Sequence, residues 1–204
     1  MSAPSYTRLQ VDERRRQVVE AGSRLFAEHA FEEITMRQIA EAAGISKPLL
    51  YHYFPSKLEL FKAAVTERAA ELQRLIEPTG DGTPFEQLSR SLDAYLGWIE
   101  ENSREWTKLM RSAVTLPEAG EMVESFRTQT LDQLLKRLTG RRKPRPVLRN
   151  ALMGWLGYVD AAILDWTQAG DLSRDQVRDL MIAAFGAALL AAQHADPKLK
   201  LNFG

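Results

Sequence analysis

Lys47, Tyr51 and His52 stand within six residues of one another in the run GISKPLLYHYFPSK, residues 44–57. Ser46 precedes them, Arg37 lies upstream and Lys57 follows. At about 100° per residue along a helix, Lys47, Pro48, Tyr51 and His52 share one face, and Leu50, Tyr53 and Phe54 share the opposite one. The second set is expected to be core. The first set faces outward from a helix too short to need an outward Tyr, His and Lys for its own stability. A nucleic-acid duplex supplies the missing partner. Lysine, serine and tyrosine bond phosphates, and side chains near a helix N-terminus reach base edges. Three lysines against one glutamate make residues 44–62 locally basic. Lys57 opens the next helix, beside an N-terminus that itself attracts phosphate. Each residue taken singly also reads as an ordinary exposed side chain; the arrangement taken together points to DNA.

These side chains need a frame, and the sequence writes one in helices. No segment shows sustained period-two alternation, and helical spacing recurs throughout. The spacing predicts helices at 11–30, 35–42, 46–53, 56–77, 84–101, 103–113, 118–139, 145–169 and 173–194. Four starts fit a capping box, in which a hydroxyl and a carboxylate or amide three residues on satisfy each other's free backbone amides. They are Thr35–Gln38, Ser56–Glu59, Thr83–Glu86 and Ser173–Gln176. Gly44, Pro55, the run Pro78 to Pro84, Pro117, Gly140 and Gly170 supply the breaks. Within residues 35–53, Ile39, Ala40 and Ala43 form one apolar face and Gly44 turns the chain. Ile45 fills the corner, Ser46 caps the second helix, and Pro48 falls in its first turn, where proline is tolerated. Two short helices joined through a glycine make a helix-turn-helix.

The whole chain sets bounds on partners and chemistry. Of its 204 residues 45% are hydrophobic, enough for a sizeable core, and Lys+Arg and Asp+Glu both number 27. A net charge of zero means that any anion-binding surface is a local patch. The absence of cysteine excludes disulfides, cysteine–zinc sites and cysteine nucleophiles and suits a reducing cytoplasm. The N-terminal run MSAPSYTRLQVDERRR lacks the apolar stretch of a signal peptide. The apolar run Ala183–Ala192 is about half a membrane span, and no membrane partner is expected. His29, His52 and His194 have no metal-ligand spacing among them. No phosphate loop or dinucleotide glycine pattern is present, and no cofactor is expected. The chain reads as a non-enzyme.

Residues 11–62 resemble the DNA-binding head of TetR/AcrR-family transcriptional regulators. The likeness is carried by AGSRLFAEHAFEEITMRQIAEAAGISKPLLYHYFPSKLELF, with its LF, IAEAAGIS, LYHYF and SKLELF blocks. Alanine replaces the usual glycine in HAFEEIT, and Pro48-Leu49 stands where small and hydroxyl residues are common. Leu49 can meet a thymine methyl or pack on the neighbouring helix, and packing is expected. The resemblance implies an all-α chain: a three-helix helix-turn-helix head at 1–55 and a helical effector-binding and dimerisation body at 56–204. It implies a homodimer on a palindromic double-stranded operator, with Arg37, Ser46, Lys47, Tyr51, His52 and Lys57 at DNA-contact positions. It also implies that the last two helices build a four-helix bundle with those of a partner.

The body carries Trp98, Trp106, Met110, Met122, Phe126, Trp155 and Tyr158. Most belong to the core on helical spacing. The family reading expects some of them to surround a small, largely apolar effector. Asp160 and Asp165 interrupt an apolar run, and a buried carboxylate needs a partner. Counter-charge to a cationic ligand is one reading of Asp160; a hydrogen bond near the dimer seam, or solvent exposure, is the favoured one. The basic loop Gly140–Pro146 reads as a solvated connection, and Arg14–Arg16 as solvated charge or added phosphate contacts. The function expected is a cytoplasmic repressor released from its operator by a ligand. A helical carrier or enzyme with an idle head is the alternative.

Overall fold

The computed structural model describes residues 5–77, 80–140 and 145–201, with side chains from Val11 onward. The element order is α1 (Ser5–Glu28), a 3-10 turn (Phe31–Glu33), α2 (Met36–Ala42), α3 (Lys47–Tyr53), α4 (Lys57–Ile76), α5 (Pro84–Thr115), α6 (Pro117–Thr139), α7 (Pro146–Ala169) and α8 (Arg174–Ala195). Among the described residues there is no strand, and no helix is long and apolar enough to cross a membrane. The expected all-α class is what is found. The capping boxes form at Thr35 and Ser173 and at Thr83. At Ser56 the hydroxyl accepts from Glu59 N at 3.2 Å.

Two expectations are corrected. The first helix begins at Ser5 rather than at residue 11. The helices expected at 84–101 and 103–113 are one element kinked at Asn102, where φ is −120° and ψ 24°. Asn102 Nδ2 donates to Trp98 O at 2.8 Å. The side chain thus engages the carbonyl one turn back where the backbone leaves helical geometry. Of the basic loop, residues 141–144 lie outside the described residues, as do Pro78 and Thr79.

The chain divides into two compact units: one holds the residues up to Ala70 with Arg104–Met122, the other Glu71–Ser103 with the residues from Val123 on. In the first unit Val18, Val19, Ile34, Ile39, Leu50, Phe54 and Leu60 form the core. Each such side chain contributes about 1.5–3 kcal/mol by leaving water. Phe26, Phe31 and Phe61 pack ring on ring beside it, with centroids 5.1–6.1 Å apart. Gly22 lets α1 approach α4; a Cβ there would stand 3.0 Å from Leu60 Cδ2.

In the second unit the buried residues of α7 recur at Leu148, Leu152, Trp155, Val159 and Ile163. Those of α8 recur at Val177, Met181, Phe185, Leu189 and Ala192. Both rows follow the helical period, and Gly170, left-handed at φ 65°, ends α7 just ahead of α8. Trp155 Nε1 donates to Met181 O at 2.9 Å, and its ring meets Phe185 edge-on at 4.9 Å. Arg178 of α8 donates to both oxygens of Asp93 on α5, at 3.0 and 3.2 Å.

Candidate nucleic-acid interface and body cavity

Four local devices fix the pose of α3. Thr35 Oγ1 accepts from Gln38 N at 3.3 Å while Gln38 Oε1 accepts from Thr35 N at 2.8 Å, so α2 starts at a defined residue. Gly44 takes φ +64°, and no atom lies near the place of its missing Cβ. Its need is therefore backbone conformation rather than space. Ile45 N donates to Ala40 O at 3.0 Å, closing the turn. Ser46 caps α3, its Oγ accepting from Leu49 N at 3.4 Å. Leu50 and Phe54, buried among Ile39 and Ala40, then anchor α3 in the core.

That anchorage leaves the other side of α3 in solvent. Ser46, Lys47, Tyr51 and His52 are exposed, Tyr51 by 44%. Lys47 Nζ stands 5.9 Å from the Tyr51 ring centroid, and His52 meets Tyr53 edge-on at 5.6 Å. Arg37 projects from α2 and is held by Glu41, Nε to Oε1 at 2.8 Å. Leu49 is 38% exposed. It adds an apolar contact to the outward face. Arg15 lies over the Phe54 ring at 4.8 Å, so this member of the Arg14–Arg16 run has a packing role.

Lys57 is placed differently from the other basic residues of the stretch. Its ammonium donates to Phe31 O and, at 2.8 Å, to Ile34 O. It also lies 4.2 Å from the Phe31 ring centroid. It ties the start of α4 to the 3-10 turn that leads into α2.

The second unit holds a cavity of about 290 Å³, lined mostly by apolar residues of α5, α6 and α7, with Ile76 and Phe185 completing it. Phe126 and Trp155 of the seven expected pocket residues line it. Trp98 is half-buried elsewhere in this unit and Tyr158 is exposed by 38% on α7. Trp106, Met110 and Met122 belong to the other unit. The space is shaped instead by Leu88, Leu92 and Tyr95 on α5 and by Arg127, Leu134 and Arg137 on α6. A signal was present, since residues 127, 130, 134 and 137 follow the helical period and place two arginines on one face.

Asp160 lines this cavity. It accepts from Arg127 Nε at 2.7 Å and Nη2 at 2.6 Å, both on Oδ2. Burial pushes its carboxyl above the usual aspartate range, against the pull of Arg127. Its partner is thus an arginine of the same chain. Ser91 Oγ, also in the lining, is buried without a hydrogen-bond partner among the described residues.

The sequence model for bacterial regulatory proteins of the tetR family matches residues 18–64. That for the tetracyclin repressor-like C-terminal domain matches residues 84–188. The chain belongs to the TetR family. Arg37, Ser46, Lys47, Tyr51, His52 and Lys57 all fall within the first match, and the cavity, Ile76 aside, within the second.

Among curated relatives, the chain is similar to regulators of both signs. The HTH-type transcriptional activator FasR of Mycolicibacterium smegmatis is 32% identical over 122 residues, 57% of this chain and 55% of FasR. The HTH-type transcriptional repressor AcnR of Corynebacterium diphtheriae is 32% identical over 77 residues, 38% of this chain and 40% of AcnR. The chain thus spans about half the length of these curated relatives, or less. A tetR-family transcriptional regulator from Streptomyces coelicolor superposes with a TM-score of 0.81 at 26% identity, over 92% of this chain and 85% of that one. A transcriptional regulator from Pseudomonas aeruginosa PAO1 has the same fold, with a TM-score of 0.74 at 18% identity over 93% and 97%.

Proposed function

We propose that this chain is a DNA-binding transcriptional repressor that reads a palindromic operator as a homodimer and releases it when a small, largely apolar molecule fills the body cavity. The observation that carries the reading is the division of α3. Leu50 and Phe54 are locked in the core while Ser46, Lys47, Leu49, Tyr51 and His52 stand in solvent. This face offers a cation, two hydroxyls, an imidazole and an apolar tip. Phosphate and base-edge recognition use such groups. Arg37 joins them by exchanging Glu41 for phosphate. Lys57 supports the face from behind.

The homodimer reading rests on α7 and α8. Leu180, Ala183, Ala187 and Leu190 form an exposed apolar stripe on α8, with Leu180 52% and Leu190 68% exposed. On α7, Gly154, Gly157, Tyr158 and Ala161 are exposed, and no atom lies near the missing Cβ of either glycine. A second copy of the same helix pair covers both rows in a four-helix bundle. Ligand control rests on the cavity and on α4, which runs unbroken from Lys57 to Ile76 in the cavity lining. The operator, and hence the site of action, is cytoplasmic. A ligand carrier would use the cavity but has no use for the outward face of α3, so the regulator reading is preferred.

Selection of bound duplexes from a random pool tests this directly. An enriched palindrome with half-sites about one helical turn apart, or a multiple of it, is expected. Recovery of unenriched sequence, or of a single half-site, overturns it.

A further inference from the structure

The charges in the cavity point to the class of molecule it takes, an inference that rests on reading the cavity as the effector site. Arg127, Arg137 and Asp160 are the ionisable side chains of its lining apart from Tyr95, two cations against one carboxylate. Arg137 is exposed and makes no ion pair among the described residues. Glu124 approaches Arg127 Nη1 at 3.6 Å from outside the lining. We propose that the effector is an amphipathic carboxylate whose apolar body fills the space among Leu88, Leu92, Phe126 and Trp155 while its head group replaces Asp160 on Arg127.

Size, charge and pairing favour this class over the two others. At the packing density of protein interiors, a cavity of about 290 Å³ takes an occupant of on the order of a dozen non-hydrogen atoms. A cation meets a lining of net positive charge whose one carboxylate is already bound by Arg127 at 2.6–2.7 Å. A neutral chain gains from the apolar walls but leaves Arg137 unused. A carboxylate gains from the walls, from Arg137, and from the two donors of Arg127 that now converge on a single oxygen of Asp160. Burial disfavours the charged form of Asp160, which makes it a counter-ion more easily displaced than an exposed aspartate.

The test is calorimetric titration of the full chain with decanoate, 1-decanol and decyltrimethylammonium, three probes sharing one chain length. Decanoate is expected to bind at one per protomer and at least about tenfold more tightly than decanol, with the ammonium weakest. Arg127→Met should bring decanoate close to decanol, and Asp160→Asn should tighten decanoate without helping decanol. Decanol matching decanoate, the ammonium binding best, or no saturable binding of any probe overturns the proposal. The series on the unaltered chain decides the matter if Arg127→Met does not fold. Duplex binding is measured on the same protein. A chain that prefers decanoate but does not bind DNA sinks the regulator reading and leaves this one standing; release of DNA by decanol alone does the reverse.

Discussion

Replacing Lys57 by alanine separates a lysine that contacts phosphate from one that holds the reading unit together. The ammonium donates to Phe31 O and to Ile34 O, the latter at 2.8 Å, and lies 4.2 Å from the Phe31 ring centroid. Hydrogen bonds from a charged group contribute ~1.5–3 kcal/mol each. The lower end applies to a half-buried side chain, because water takes over part of the bond when the lysine is gone. The cation–π contact adds ~0.5–1 kcal/mol. Together these give a loss of about 3.5–4 kcal/mol, a large share of a small domain's stability. Urea unfolding followed by helical circular dichroism measures it. Operator affinity is then measured across a salt series. A positioning lysine weakens binding at every salt concentration and leaves the slope of log K against log salt unchanged. A phosphate ligand lowers that slope by about 0.9 per contact. Lys47→Ala is the matched control: it should lower the slope by that amount and leave stability unchanged. An unaltered urea midpoint for Lys57→Ala, with a slope reduced by about one, refutes the reasoning and returns Lys57 to the DNA-contact set.

The remaining predictions concern the turn, the dimer face and the cavity carboxylate. Gly44→Ala forces an L side chain to φ +64° with nothing crowding it; the expected cost is ~1–2 kcal/mol of stability from backbone strain, and a neutral result in thermal unfolding counts against the turn as described. Leu190→Glu puts a carboxylate at a residue 68% exposed on α8 and should convert dimer to monomer in sedimentation velocity; an undisturbed dimer removes α8 from the interface. The raised Asp160 carboxyl sets the sign of a pH effect, with Arg127, Glu124 and Arg137 as the charges around it. The folded chain keeps a proton that the unfolded chain releases, so stability from this residue falls as pH rises from the ordinary aspartate value of ~3.9 to the raised one. Asp160→Asn should remove that fall, so a wild-type-minus-variant difference that grows with pH contradicts it.

The head was legible in the sequence because its signals are local. A capping box, a glycine that must be left-handed, a serine cap and a proline in the first turn act within about twenty residues, and each is found where the spacing placed it. The split of α3 into buried Leu50 and Phe54 and exposed Lys47, Tyr51 and His52 followed from helical periodicity alone. Lys57 shows a limit. Its carbonyl partners lie 23 and 26 residues away, and nothing in its own neighbourhood announces them. The cavity was the least legible part, since its walls come from five helices. Residue size is a poor guide there. Trp106 is as well buried as Trp155, yet only Trp155 lines the space. The Arg127–Asp160 pair joins residues 33 positions apart, and only the structure brings them together.

The zero net charge of the chain makes the dimer a physical requirement of the proposed function rather than an ornament to it. One head offers Lys47 and Arg37 as exposed cations on its reading side, and Arg37 is already bound to Glu41. Each neutralised phosphate contributes only one unit of counterion release. Such a head binds weakly, and the rest of the molecule supplies no long-range attraction to correct this. Two heads held at a fixed spacing of roughly 34–36 Å engage successive major grooves together, and the second contact then forms at the high effective concentration set by the first. Affinity therefore depends on the spacing of the heads more than on any single side chain. A molecule in the body need not touch DNA to release it. It has only to bind more tightly to the dimer whose heads are wrongly spaced, and its effect is limited by that difference in affinity. Disrupting the α7–α8 face should for this reason cost more operator affinity than deleting Lys47.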